Sequence, residues 1–329
     1  MATTNVSDEK QNYSEKIQEP FCSLNIAAEI HGQLTFIAVL NAFLSITAFL
    51  ENVLVLVALG EDSSLHPPSK LLLRSLAVTD LCAGLFSEPL YVTLLLAVVN
   101  ERWNICHYVA VAVSATGTIL TLASMLTLAA ISVDRLLDLL LGLRYRQVVS
   151  LKRIRLIIVA FWVLSAGVAT LRFFYNFPIT SRYEAIVMSL CLITSAFSHT
   201  KISLTLRRHQ SQVQGHVQQS NQRSELNIAR FRKAVSTALW LQLTLIVCYL
   251  PLVISTNLFR KTEPSSSYIV TLSYTITLIF LNSSLNPILY CWKIDEVRQA
   301  MKETIRQVLC CWTLELSNPL TLLRGRKWL

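Results

Sequence analysis

Phe280-Leu281-Asn282-Ser283-Ser284-Leu285-Asn286-Pro287-Ile288-Leu289-Tyr290 is the stretch whose reading decides the fold. It closes an apolar run that opens near Tyr268. Most of the run suits hydrocarbon, yet its last third carries two Asn, two Ser and a Pro. In lipid each unsatisfied polar group costs several kcal/mol, so these side chains must face partners inside a helix bundle. Pro287 removes one backbone hydrogen bond and bends the helix there. A kinked, polar-lined inner helix end is a place for movement or for an ion.

The rest of the chain shares this apolar character. Of 329 residues, 53% are hydrophobic and 15% charged, and the mean hydropathy is +0.49, which excludes an ordinary soluble domain. Seven runs reach the ~20 mainly apolar residues that a membrane crossing needs: Leu34–Leu59, Leu71–Val99, Tyr108–Leu141, Ile154–Tyr175, Tyr183–Leu206, Ala234–Phe259 and Tyr268–Trp292. The expected fold is an all-α membrane protein, a seven-transmembrane helix bundle with a short amphipathic eighth helix. The expected divisions are a tail over 1–33, the bundle over 34–292, a membrane-surface helix over 293–311 and a second tail over 312–329. The net charge of +9 does not mark a nucleic-acid binder. Its basic residues gather in alternate connections (Lys70 and Arg74; Arg144 to Arg155; Arg207 to Lys233) and after the last run. The positive-inside rule makes that side cytosolic and the N-terminus extracellular, in a multi-pass protein of the plasma membrane.

Several polar groups stand out within the runs. Asp80 is a lone carboxylate near mid-membrane, a functional hypothesis by default. Eight residues on, Glu88 precedes Pro89, which kinks or bulges the outer half of that helix. Glu88 is either a ligand-contacting anion or a side chain that snorkels to the interface. Glu51 and Asn52 must turn inward, with helix-to-helix hydrogen bonding the reading for Asn52. Gly117, Thr121, Ser124, Leu128, Ile131 and Arg135 recur at threes and fours and form one inward stripe. At its cytosolic end Asp134 neutralises Arg135 in a closed state, and release lets the Arg meet a partner. Pro251 in Cys248-Tyr249-Leu250-Pro251 frees a carbonyl and permits bending. Ile294, Val297, Met301, Ile305 and Val308 lie at helical spacing opposite charges, an amphipathic helix on the membrane, and Cys310-Cys311 after it suit palmitoylation. Residues 210–224 read as a flexible cytosolic loop. The sequons at Asn5 and Asn12 fall in the outer tail and suit glycosylation.

Asn286-Pro287-Ile288-Leu289-Tyr290 resembles the Asn-Pro-x-x-Tyr signature of the seventh helix in rhodopsin-like G-protein-coupled receptors. Asp134-Arg135, Asp80, Asn52, Trp162 and the Cys-Tyr-Leu-Pro stretch are similar to further signatures of that family, in the same order. Glu51 before Asn52, a helix-five position held by Cys191 rather than Pro, and a tiny second outer loop resemble the melanocortin branch. That branch groups with the cannabinoid, lysophospholipid and adenosine receptors. Asn286 departs from it, since melanocortin receptors tend to carry Asp there.

The resemblance implies one inner polar cluster of Asp80, Ser124, Asn282, Ser283 and Asn286, the family's site for an allosteric sodium ion; no other cofactor is implied. It implies a ligand pocket at Glu88, Gly117, Thr118, Thr121, Tyr249, Leu252, Thr256 and Ile276. It assigns coupling and switching to Asp134, Arg135, Tyr145, Tyr249, Pro251, Asn286, Pro287 and Tyr290. The family's usual loop disulfide lacks its cysteine here, and Cys22 and Cys106, both on the oxidising side, are expected to pair. Leu136 stands where Tyr is usual, Gly142 for a loop Pro, Tyr249 for Trp and His199 for Tyr. His199 reads as a satisfied polar group rather than a proton switch. Gly117, where amine receptors carry Asp, argues against an amine ligand. The function implied is a receptor, not an enzyme, that binds an extracellular peptide or lipid and activates a heterotrimeric G protein. The alternative is a channel or transporter using Asp80 and Glu88, which the lack of an internal repeat weakens.

Overall fold

The computed structural model describes Cys22 and residues 24–60, 66–174, 177–216, 240, 243–256, 258, 265–293, 298–299, 301–303 and 305–306. The long helices are α1 (Leu24–Ala58), α2 (Pro67–Val99), α3 (Trp103–Leu141), α4 (Leu151–Phe174), α5 (Phe177–His216), α6 (Leu243–Thr256) and α7 (Ser266–Lys293). All but α6 are long and apolar enough to cross a membrane, and α6 is a shorter apolar helix. The expected surface helix lies largely outside the described residues; those described between 298 and 306 are helical, and Met301 among them packs into the core. Asn5, Asn12, Cys310 and Cys311 also lie outside them.

The helices overrun the apolar runs. α1 begins at Leu24 rather than near residue 34, because helical hydrogen bonds continue past the edge of the hydrocarbon. α5 runs to His216, so residues 210–216 are helix where a flexible loop was expected. Gln210, Gln212 and Gln214 are good helix formers, and Gly215 comes only at the end. α4 ends at Phe174 and α5 starts at Phe177, so the second outer connection is even shorter than expected.

The packing is inside-out relative to a soluble protein. Phe36, Phe43, Val159, Val163, Ile193 and Phe197 are exposed large apolar side chains, while Asn41, Asn52, Asp80, Asn282 and Asn286 are buried. Lipid accepts the first set and excludes the second. α3 packs on α2, α4 and α5, and α1 packs on α2 and α7. Within α2, residues Ala83–Ser87 form a π-turn directly before Glu88 and Pro89. Pro89 has no N–H to give, and its ring crowds the carbonyl four residues back, so the helix widens there. This bulge carries Gly84 against α1. A Cβ on Gly84 would lie 2.9 Å from both the Phe49 nitrogen and the Ser45 oxygen, and Ser45 Oγ donates to the Gly84 carbonyl at 2.7 Å. By contrast, α7 runs on as helix through Pro287.

Two devices tie the ends. Arg74 of α2 donates to the Leu59 carbonyl, one of the orphan acceptors that follow α1. Cys22 and Cys106 form a disulfide, Cα atoms 6.0 Å apart, that ties the start of α1 to α3 across 84 residues of chain. At the inner end of α3, Gly142 takes φ of 49°, the left-handed region where Gly is strain-free and a Pro could not sit.

Gly84→Val drives its side chain into the α1 backbone rather than into a flexible neighbour. Overpacking of this kind costs about 1–3 kcal/mol, so purified Gly84→Val is expected to melt several degrees below wild type, whereas a control Gly32→Ala, with open space around it in α1, melts no lower than wild type. Cys22→Ser and Cys106→Ser each remove about 2–4 kcal/mol. Their thermal midpoints fall equally, and the double variant falls no further.

Candidate functional site

The inner polar cluster is built on Asp80, whose residue is 1% exposed. Ser283 Oγ donates to its Oδ1 at 3.0 Å and Asn286 Nδ2 to its Oδ2 at 2.9 Å. Ser124 Oγ of α3 stands 3.5 Å from Oδ1, within reach of a tighter bond. A short turn of α7 thus supplies two donors, and Pro287, placed after Asn286, does so without ending the helix. Asn52 Nδ2 of α1 donates to the Ser283 carbonyl at 3.1 Å and to the Ala48 carbonyl at 2.8 Å. Three of the other four expected residues therefore converge on the Asp80 carboxylate. Asn282 does not: its Nδ2 donates to the Tyr249 hydroxyl at 3.3 Å, and its buried Oδ1 has no hydrogen-bond partner. One carboxylate, two hydroxyls and an orphaned amide oxygen fit a small hard cation. A sodium ion held there would cancel the Asp80 charge and tie α2, α3 and α7.

At the far end of α3 Asp134 is buried and accepts from three sides. Arg135 Nη2 lies 2.8 Å from Oδ2, Ser69 Oγ 2.8 Å from the same oxygen, and the Tyr145 hydroxyl donates to Oδ1. Tyr145 opens the one-turn helix Tyr145–Val148 after α3 and stacks tilted against His66, 5.1 Å away. Burial, and then the neighbouring Asp134, push the Tyr145 phenol up to about 12. Arg135 is the partner left facing outward, its side chain 38% exposed. Ser69 and His66 were not foreseen; nothing in their spacing separates them from ordinary helix-start residues.

The outer half holds a second charge pair that sequence reasoning missed. Arg172 Nη1 of α4 meets Glu184 of α5 at 2.8 and 3.0 Å. Thr118 Oγ1 of α3 donates to Glu184 Oε1 at 3.0 Å and accepts from Arg172 at 2.9 Å. Both residues lie at the ends of their apolar runs, where a charge is ordinary, so their positions alone carried little signal of the pair. Of the expected pocket residues, Thr118 sits on this pair, and Gly117 faces Ser87, whose Oγ lies 4.0 Å from where a Cβ would stand. Thr121, Leu252, Thr256 and Ile276 are half-buried, and Thr256 bonds back to its own helix. Tyr249 is buried in the core with Leu245 and Cys248. Glu88 does not snorkel: it is 0% exposed, and neither carboxylate oxygen has a hydrogen-bond partner. His199 is half satisfied, with Nε2 3.1 Å from Ser132 Oγ and Nδ1 without a partner. Pro251 is half-buried and Pro287 buried; Tyr290 lies in α7, its side chain outside the described residues.

A helical bundle with an acidic inner cluster and an Asp-Arg pair at the end of α3 defines a class of protein. The family model of the 7 transmembrane receptor, rhodopsin family, matches residues 51–183 and 179–290, and the chain belongs to that family. It is therefore a multi-pass membrane receptor, a class A G-protein-coupled receptor and not an enzyme, and the channel or transporter alternative falls away. The chain is similar to melanocortin receptor 5 of Rattus norvegicus and of Homo sapiens, each 25% identical over 280 residues that cover 82% of this chain and 82% of the relative.

Tyr145→Phe and Ser69→Ala each remove one donor from a buried carboxylate. A hydrogen bond to a charged group contributes about 1.5–3 kcal/mol, so each variant is expected to lower the thermal midpoint of the purified receptor. The pH dependence has a definite sign. A phenol held above its ordinary value of 10 contributes stability below pH 10 and loses it as pH rises toward about 12. Wild type should therefore shed stability over that window that Tyr145→Phe does not have to lose.

Proposed function

We propose that the chain is a plasma-membrane receptor, its N-terminus extracellular, that binds an extracellular peptide or lipid and activates a heterotrimeric G protein. The observation that carries this reading is the half-exposed Arg135 beside an Asp134 clamped from α2 and from the turn after α3. Such a clamp has two states, and a ligand that prefers one helix packing shifts their populations. Loss of the clamp frees Arg135 for a cytosolic partner, and the alternate basic connections suit both that partner and anionic lipid. Asp80 with Ser124, Ser283 and Asn286, extended by Asn282, is the proposed sodium site between the outer pocket and the clamp. Asn5 and Asn12 are proposed glycosylation sites, and Cys310 and Cys311 proposed palmitoylation sites at the end of the surface helix.

The Arg172–Glu184–Thr118 group supports a ligand with charged or strongly polar groups, while Leu252, Val253 and Ile276 support an apolar one. Together they favour an amphipathic ligand, with Glu88, Gly117, Thr121, Tyr249 and Thr256 completing the proposed pocket. The relatives' name makes a melanocortin the first ligand to try.

Cyclic AMP is measured in cells expressing wild type, Arg135→Ala and Asp80→Asn at equal surface density, first without ligand and then with melanocortin peptides, lipids and adenosine. The expected result is a response in either direction that Arg135→Ala reduces at least about tenfold, equivalent to about 1.4 kcal/mol of lost coupling. A response untouched by Arg135→Ala, or an ion current abolished by Asp80→Asn, defeats the proposal.

A further inference from the structure

A separate set of buried oxygens lies between α1, α2 and α7, outside the cluster around Asp80. Asn41 of α1 is 0% exposed; its Nδ2 is committed to the Ile37 carbonyl at 2.8 Å and to Thr277 Oγ1 of α7 at 2.9 Å, and its Oδ1 has no hydrogen-bond partner. Glu88 of α2 leaves both carboxylate oxygens without one, and so does Ser273 of α7 with its Oγ. Each is fully buried.

Register brings them to one level. Ser45 of α1 bonds the Gly84 carbonyl of α2. These two helices are antiparallel, so one turn outward from that contact stand Asn41 on α1 and Glu88 on α2. α2 and α7 are antiparallel too. Asp80 meets Ser283 and Asn286, and Tyr91, three residues beyond Glu88, reaches the Ser273 carbonyl at 3.4 Å. The position on α7 that faces Glu88 therefore falls between these contacts, at Thr277 and Ser273. Contacts rather than period fix the face: Gly84 meets α1 and Tyr91 meets α7, and Glu88, past the π-turn and three residues before Tyr91, shares the face of Tyr91.

The chemistry of the orphans names the occupant. An amide oxygen and a carboxylate are acceptors only, and the one amide nitrogen nearby is already used. What satisfies acceptors around a single buried carboxylate is a cation. A divalent ion demands more carboxylates or retained waters, which a fully buried site does not offer. We propose that Asn41 Oδ1, the Glu88 carboxylate and Ser273 Oγ form a site for a sodium-sized monovalent cation, distinct from the Asp80 cluster and about 12 Å outward along α2 at 1.5 Å per residue. The ion adds Glu88 of α2 to the α1–α7 link that Asn41 and Thr277 already make, and it sets the charge of Glu88 independently of Asp80.

The test uses the full chain in nanodiscs, with thermal unfolding followed in sodium chloride against N-methylglucamine chloride at equal ionic strength. Asp80→Asn removes the inner cluster's contribution. In that background the site predicts a remaining sodium-dependent rise of roughly 2–4 °C, lost in both Asp80→Asn/Glu88→Gln and Asp80→Asn/Asn41→Leu. The infrared difference spectrum of Asp80→Asn gives a second readout that needs no further variant: sodium should shift a carboxylate stretch. No sodium effect in Asp80→Asn, or one that survives both double variants, overturns the site. A protonated-carboxyl band indifferent to sodium overturns it as well, since Glu88 then holds a proton and not an ion.

Discussion

Asp80 is the constraint on which the bundle depends. A carboxylate at 1% exposure in a lipid-facing protein has no water to fall back on, and its acceptors must be met by groups brought from elsewhere. The groups that meet it come from α3 and α7, and Asn52 of α1 reaches the same turn through the Ser283 carbonyl. Four helices are thereby fixed in register by one side chain. Apolar packing alone would not do this, because lipid tails are as apolar as the helix faces and favour no particular partner.

Polar groups recur at several depths of the bundle. Asp134 is clamped by Ser69, Tyr145 and Arg135 at the inner end, and Asp80 follows further out. Asn41, Glu88 and Thr277 lie one layer beyond Asp80, and Arg172, Glu184 and Thr118 link α3, α4 and α5 in the outer half. The layers differ in completeness. Asp134 has donors on both oxygens and Glu184 meets Arg172 Nη1 with both of its own, whereas Glu88 has none. Satisfied layers hold helices together, and an unsatisfied one leaves buried oxygens whose desolvation no described donor offsets.

Much of this was legible because lipid makes polarity expensive. A lone Asp in an apolar run, an Asn-Pro pair near a run's end and an Asp-Arg at its border carry their meaning in the residue type itself. What stayed hidden depended on which way a side chain turns. Arg172 and Glu184 sit near run ends, where charges are ordinary, and only the nearness of α4 to α5 turns them into a pair. Asn41 and Thr277 are residues of unremarkable type until α1 meets α7. The π-turn before Pro89 changes which residues of α2 share a face, and a period of 3.6 carried through that proline misplaces the outer half of the helix.

Tyr249 shows how a departure from the family pattern acts physically. The Trp usual at this place offers an N–H and no oxygen, whereas the Tyr hydroxyl accepts from Asn282 Nδ2 at 3.3 Å and joins α6 to α7 beside the Asp80 cluster. Side-chain hydrogen bonds between membrane helices contribute about 0.6 kcal/mol on average and about 1.7 at most. Coupling between sites in a two-state protein is about 1–3 kcal/mol. One such bond is therefore a fraction of what a ligand must supply, and it biases α6 without locking it. The carboxylates are different in scale, since leaving either Asp80 or Asp134 without its donors costs the desolvation of a charge. A change in packing that keeps both carboxylates satisfied while exchanging bonds such as Asn282 to Tyr249 is the low-energy route open to this bundle. Movement is then favoured at α6, whose described residues neither carry a carboxylate nor donate to Asp80 or Asp134, whereas α7 donates to Asp80 and α4 to Glu184.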